Sequence, residues 1–230
     1  AVGTQSQTRL KTAWHGGLTL AVLSAAAGTP AAQTYPSKPI RVVNTSAAGG
    51  PAELVARTLG QGLTDAWGQQ VVVDTRAGAA GTIGAEIVAR AAPDGYTLLL
   101  GAGSTMVIAP LVQKVSYDGI KDFAAVSMVV VSPFALAVHP SVSAKNLKEF
   151  ITLAKAKPKF YNFGSAGTGS TAHLGGEQLK SLAGIELQHV PYKGVVPALA
   201  DLVAGQIQML FGSTSALVPQ AKAGKITLLA

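Results

Sequence analysis

Residues 161–179 read YNFGSAGTGSTAHLGGEQL: a short β-type run, a loop of small and hydroxylated residues, then a helical pattern. Such a loop sets bare backbone N–H groups and hydroxyls at a helix N-terminus, and that combination holds anions. The groups on offer come from Ser165, Ala166, Gly167, Thr168, Gly169, Ser170 and Thr171, with His173 beside them as a possible further donor. No Lys or Arg lies in the loop, so it offers directed hydrogen bonds and little net charge. That suits a carboxylate better than a phosphate. Gly164 and Gly169 have P-loop spacing, but Ser170 stands where a phosphate-contacting lysine is needed, which excludes a P-loop. GTGSTA (167–172) also fits the loose G-x-G-x-x-A dinucleotide pattern. That pattern needs an acid at the end of the next strand to hold ribose, and Glu186 sits at its start. A dinucleotide-dependent enzyme is therefore the weaker alternative.

Other chemistry is thin. No serine lies in a G-x-S-x-G elbow, and His139, His173 and His189 show no metal-ligand spacing. His139 and His189 read as structural residues at strand ends. Glu53, Glu86 and Glu177 lie early in helical patterns, where acids complement the helix dipole. Asp118 and Asp122 read as turn and cap residues. The chain has no cysteine, which excludes disulfides, thiolate metal sites and cysteine nucleophiles. Its formal charge is +7, but Lys and Arg are dispersed without basic runs or basic–aromatic interleaving, so nucleic acid is not an expected partner. No cofactor is called for.

The elements that must position these groups alternate. Strand runs at IRVVN, QVVVDT and YTLLLG are each followed by a loop of small residues, at 45–51, 76–84 and 102–105. Further strands are read at FYNFGS, ELQHVPY, IQMLFG and ITLLA, with helices between them, one stopped by Gly68 and another by Gly184. Strand–helix alternation implies mainly parallel sheets with helices on both faces. In such sheets ligands sit beyond the C-terminal strand ends, where the loops gather. This adds Thr45, Ser46, Ala47, Ala48, Gly49 and Gly50 to the candidate site, and Ser104 and Thr105 from the third loop. The stretch AAVSMVVVSPFALAVHP (124–140) reads as a long β-rich crossover, broken at Ser132–Pro133, from one α/β lobe to a second.

The first 33 residues have another logic. Arg9 and Lys11 precede the apolar run GLTLAVLSAAAG, and TPAAQ supplies small residues at a cleavage site. This is the pattern of a secretory signal peptide. The expected organisation is a signal peptide over 1–33, a first α/β lobe over 34–134 and a second over 135–230.

YPSKPIRVV, RAGAAGTIGAEIVARAAPDGYTLLLG, YDGIKDF, FGSAGTGSTAHLGGEQL and HVPYKGVVPALADLVAGQIQMLF together resemble one family. It is that of the tripartite tricarboxylate transporter substrate-binding receptors, the Bug family of periplasmic solute-binding proteins. The resemblance covers everything after the leader. It implies a two-lobed, Venus-flytrap fold of periplasmic-binding-protein type, no enzymatic activity, a monomer in the periplasm, and a small carboxylate or related acid as ligand. The partner it implies is a membrane permease, with a signalling protein served by a sensor as the alternative. Carried over, the ligand loops are Thr45–Gly50 and Ser165–Thr171, with His173 adjacent. The sequence departs from the family in two places. NTSAAGG replaces a stiffer, Pro-rich first loop. The resemblance also implies a further C-terminal segment completing the first lobe, so the chain reads as a fragment or a truncated product.

Overall fold

A computed structural model describes residues 34–230; the expected signal peptide lies outside the described residues. The chain order begins β1 (Ile40–Asn44), α1 (Pro51–Trp67), β2 (Val71–Thr75), α2 (Thr82–Ala89) and β3 (Thr97–Leu100). These strands form one parallel sheet in the order β2-β1-β3. Side chains alternate across it, so successive residues serve opposite helices. Gly60 of α1 approaches Val71 and Val73, while Gly84 of α2 approaches Val43 on the other face. Gly68, at φ 66°, ends α1 in the left-handed conformation that glycine adopts most cheaply.

A π-helical turn at Ser104–Ile108 and the short α3 (Ala109–Val112) follow. Asp118 and Asp122 then close a turn: Asp118 Oδ1 accepts from the Ile120 and Lys121 amides, and Asp122 Oδ2 accepts from the Asp118 amide.

The second sheet comprises β4 (Phe134–Val138), β5 (Asn162–Ser165), β6 (Gln188–Pro191), β7 (Met209–Ser213) and β8 (Thr227–Leu228), in the order β6-β5-β7-β4-β8. β5 is parallel to β6 and β7, whereas β4 runs antiparallel to β7 and β8. Its helices are α4 (Leu147–Ala156), α5 (Thr171–Ala183), α6 (Val195–Val203) and α7 (Thr214–Lys222). β4 shows why both faces are covered. Leu136 and Val138 join Phe150, Tyr161, Phe163 and Met209 in one core, while Ala135 and Ala137 join Ala198, Leu202, Leu210 and Leu217 in the other.

The expected strand over 124–140 is corrected. Only Phe134–Val138 is a strand, beginning just after Pro133; residues 124–133 have no regular structure, and Val126, Met128 and Val131 are exposed. A continuous apolar run signals a strand only if a neighbouring strand takes its backbone groups. Among the described residues none pairs with this one. No helix among the described residues is long and apolar enough to cross a membrane.

Candidate functional site

Loops following the C-terminal ends of β1, β2, β3, β5 and β6 supply the candidate groups. The first-lobe loops are knitted together by side chains. Asn44, fully buried at the end of β1, accepts from the Ser46 amide and donates to the Ser46 carbonyl and Thr75 Oγ1. Buried Thr45 donates to the Leu100 carbonyl, and buried Thr105 to the Ala80 carbonyl. Tyr117 in turn donates to the Thr105 carbonyl at 2.5 Å. The Gly49 amide donates to Glu53 Oε2 at 2.6 Å, and Glu53 is also paired with Arg57. The Gly49 amide, followed by Arg57, holds the Glu53 carboxyl below its ordinary range.

These bonds revise the expected roles of Thr45 and Thr105. Their hydroxyls donate inside the first lobe and lock the loops. Half-buried Ser46 and Ser104, and exposed Ala48 and Gly49, stand nearer the surface. The sequence reading missed Ala79 and Ala80, which have φ of 47° and 55°. Two non-glycine residues in that region are strained, and such strain gathers at functional sites. The succession of small residues in RAGAAGT is the signal that could have found them.

In the second lobe, Ser170 caps α5 by accepting from the His173 amide. Ser165 is fully buried; its hydroxyl receives the Gly167 amide at 3.1 Å, reaches the Gly167 carbonyl at 3.1 Å and meets His189 Nε2 at 2.7 Å. His173 Nδ1 accepts from the Gly169 amide at 3.2 Å. Ser165, Ser170 and His173 therefore brace the loop. The Ser165 hydroxyl and the His173 ring nitrogen facing Gly169 are engaged within the loop, whereas the Ser170 hydroxyl, accepting at the cap, keeps its own proton for donation. Thr168 and Thr171 are exposed, and the first turn of the 13-residue α5 carries no acidic side chain. Glu177 is not a first-turn acid: it lies further along α5, paired with Lys180 and 3.9 Å from His173. His189, read as structural, packs under the loop between Phe163 and His173. Burial, reinforced by the neighbouring His173, pushes its pKa from 6.5 down to about 4.

The two loop sets meet. A Cβ on Gly167 would lie 3.5 Å from the Ala80 nitrogen, one on Gly169 2.8 Å from a Val112 methyl, and one on Gly50 3.6 Å from a Val196 methyl. Bare glycine backbone from one lobe thus faces Ala80, Val112 or Val196 of the other. The glycines permit this approach; the amides of Gly49, Gly50, Gly167 and Gly169 are held by internal acceptors, and the hydroxyl-bearing Thr168 lies between the last two. Among the described residues no cluster could hold a metal ion.

Residues 55–230 match the family model described as the tripartite tricarboxylate transporter family receptor. The chain belongs to that family. The family is one of receptors, and its members have the α/β periplasmic-binding-protein fold seen here. A UPF0065 protein of Bordetella bronchiseptica is 41% identical over 216 residues, 93% of this chain and 64% of that protein. The structure of an R. palustris protein with adipate superposes with a TM-score of 0.82 at 32% identity, covering 85% of this chain and 66% of the other. MatC from Rhodopseudomonas palustris with bound malate gives a TM-score of 0.80 at 31% identity, covering 85% of this chain and 67% of the other. The chain thus spans about two thirds of the length of these relatives.

Proposed function

We propose that the chain captures a small organic acid, most simply a dicarboxylate, between the loop 45–50 and the loop 165–171, as a periplasmic receptor that delivers it to a membrane permease. The observation that carries this reading is the convergence of glycine backbone from both lobes on one line edged by the Thr168 and Thr171 hydroxyls. Hydrogen bonds to a charged acceptor are worth about 1.5–3 kcal/mol each, enough for a few to hold a carboxylate without a counter-charge. The adipate and malate bound to the two structural relatives, both dicarboxylates, support the ligand class. In this reading residues 1–33 are the export leader, 34–134 and 135–230 are the two lobes, and the receptor acts as a monomer.

Calorimetric titration with malate, succinate, adipate, citrate, glutamate, nicotinate and inorganic phosphate tests the reading. Heat of binding from at least one organic acid is expected. Binding of phosphate with no response to any organic acid would refute it. Retention of the permease on the immobilised ligand-bound receptor tests the partner.

A further inference from the structure

His173 and His189 come from different elements, α5 and β6, yet their rings lie 4.1 Å apart at a 31° tilt beneath the loop 165–171. Each ring reaches the loop backbone. His173 Nδ1 receives the Gly169 amide directly. His189 Nε2 reaches Gly167 through the Ser165 hydroxyl. Gly167 and Gly169, at φ of 120° and 80°, are the positions at which the loop bends through glycine-only backbone. The two rings therefore hold the two bends on either side of Thr168.

The bond from Gly169 fixes a protonation state. An amide N–H can only donate, so His173 Nδ1 must carry a lone pair and the ring proton sits on Nε2. An added proton at Nδ1 would set donor against donor and release Gly169. His189 has no equivalent conflict, because an imidazolium can still donate to the Ser165 hydroxyl. The groups facing the pair decide where a proton goes. From α5 come Glu177, whose Oε1 is 3.9 Å from His173 Nε2, and Lys180, whose ammonium is bound by Glu177. β5 and β7, the strands packed against α5, bring no titratable side chain, nor does the rest of β6. Burial and the His173 ring disfavour charge on His189.

We propose that the His173–His189 pair is a positioning device for the ligand loop, holding Gly167 and Gly169 in the anion-receiving shape only while His173 Nδ1 keeps its lone pair, so that acidification releases Gly169 and weakens ligand binding. The proposal rests on the carboxylate-receptor reading for its ligand and stands on the loop geometry for its mechanism. Losing one amide hydrogen bond that shapes the site is expected to cost roughly three- to tenfold in affinity.

Malate, adipate and succinate are titrated into the protein at pH 7.5 and pH 5.0, with the native chain and with His173→Asn. Asparagine offers an acceptor oxygen near the Nδ1 position and does not take up a proton. The ligand's own carboxyls titrate identically in both experiments, so the difference between the two pH slopes is the readout. A steeper loss of affinity on acidification in the native chain than in the variant is expected; equal slopes overturn the proposal. A second measurement needs no ligand. In an amide NMR titration of the native chain, the Gly169 resonance should move in step with protonation of the His173 ring. A Gly169 amide that stays fixed while the His173 ring protonates overturns the proposal, whether or not any carboxylate binds. Failure of all three acids to bind at pH 7.5, with Gly169 still following the ring, would count against the ligand class and in favour of the device.

Discussion

The Cβ of Ala47 lies 2.4 Å from the point where a side-chain carbon on Gly194 would stand. The first-lobe loop thus rests on bare second-lobe backbone, held at φ 142°, a region open to glycine and costly for other residues. Gly194→Val adds both a clash and backbone strain. The lobes are expected to be wedged apart, with carboxylate affinity falling more than about tenfold for a contact loss exceeding 1.4 kcal/mol. Calorimetric titration checks this. Undiminished affinity would mean that the two loops do not close on a common ligand.

Ser165→Ala is expected to act through stability and loop order. The hydroxyl is fully buried and serves the Gly167 amide, the Gly167 carbonyl and His189 Nε2. Removing it strands buried polar groups, at about 1–3 kcal/mol. Chemical denaturation should show that loss with ligand absent. A loss of affinity at unchanged stability would instead restore Ser165 to the ligand's side of the loop.

Gly176→Ala tests the packing that sets the axis of α5. A Cβ there would lie 2.2 Å from a ring carbon of fully buried Phe163. Overpacking of this kind costs about 1–3 kcal/mol, which outweighs the gain of up to about 1 kcal/mol from replacing a helical glycine with alanine. The melting temperature should fall. A rise would show that Phe163 has room to move.

Acid should destabilise the chain through His189. Its pKa is about 4 in the folded state against 6.5 ordinarily, because burial and His173 disfavour the charge. The unfolded chain therefore binds a proton that the folded chain refuses. The contribution is complete above pH 6.5 and is lost as pH falls toward 4. Melting curves across that window should be flatter for His189→Gln, which keeps a polar group toward Ser165 but does not titrate. Parallel curves for the two proteins would remove His189 from the linkage.

Local signals were legible where the sequence carries its own punctuation. Gly68 and Gly184 stop α1 and α5 in the left-handed conformation, and the loops follow the strand ends as the alternation requires. What stayed hidden depends on partners far along the chain. Ser165 looked free because His189, which occupies its hydroxyl, lies 24 residues away. Thr45 and Thr105 looked free for the same reason, with acceptors on Leu100 and Ala80. The valines at 129–131 look like a strand by type, but pairing is a property of two segments and cannot be read from one. Glu53 was read correctly as an acid in a first helical turn; its bond to the Gly49 amide was not visible.

That bond gives the two halves of the proposed cleft unequal duties in time. The start of α1 already faces a carboxylate of the chain itself, since Glu53 occupies the Gly49 amide. The start of α5 has no acid in its first turn. An arriving anion therefore meets an electrostatically occupied doorway on one side and an open one on the other. In the proposed cleft, an anion is expected to meet the α5 side first, because no acid of the chain stands in that first turn. On the same reading, the 45–50 side, where Glu53 already holds the Gly49 amide, would engage the guest second.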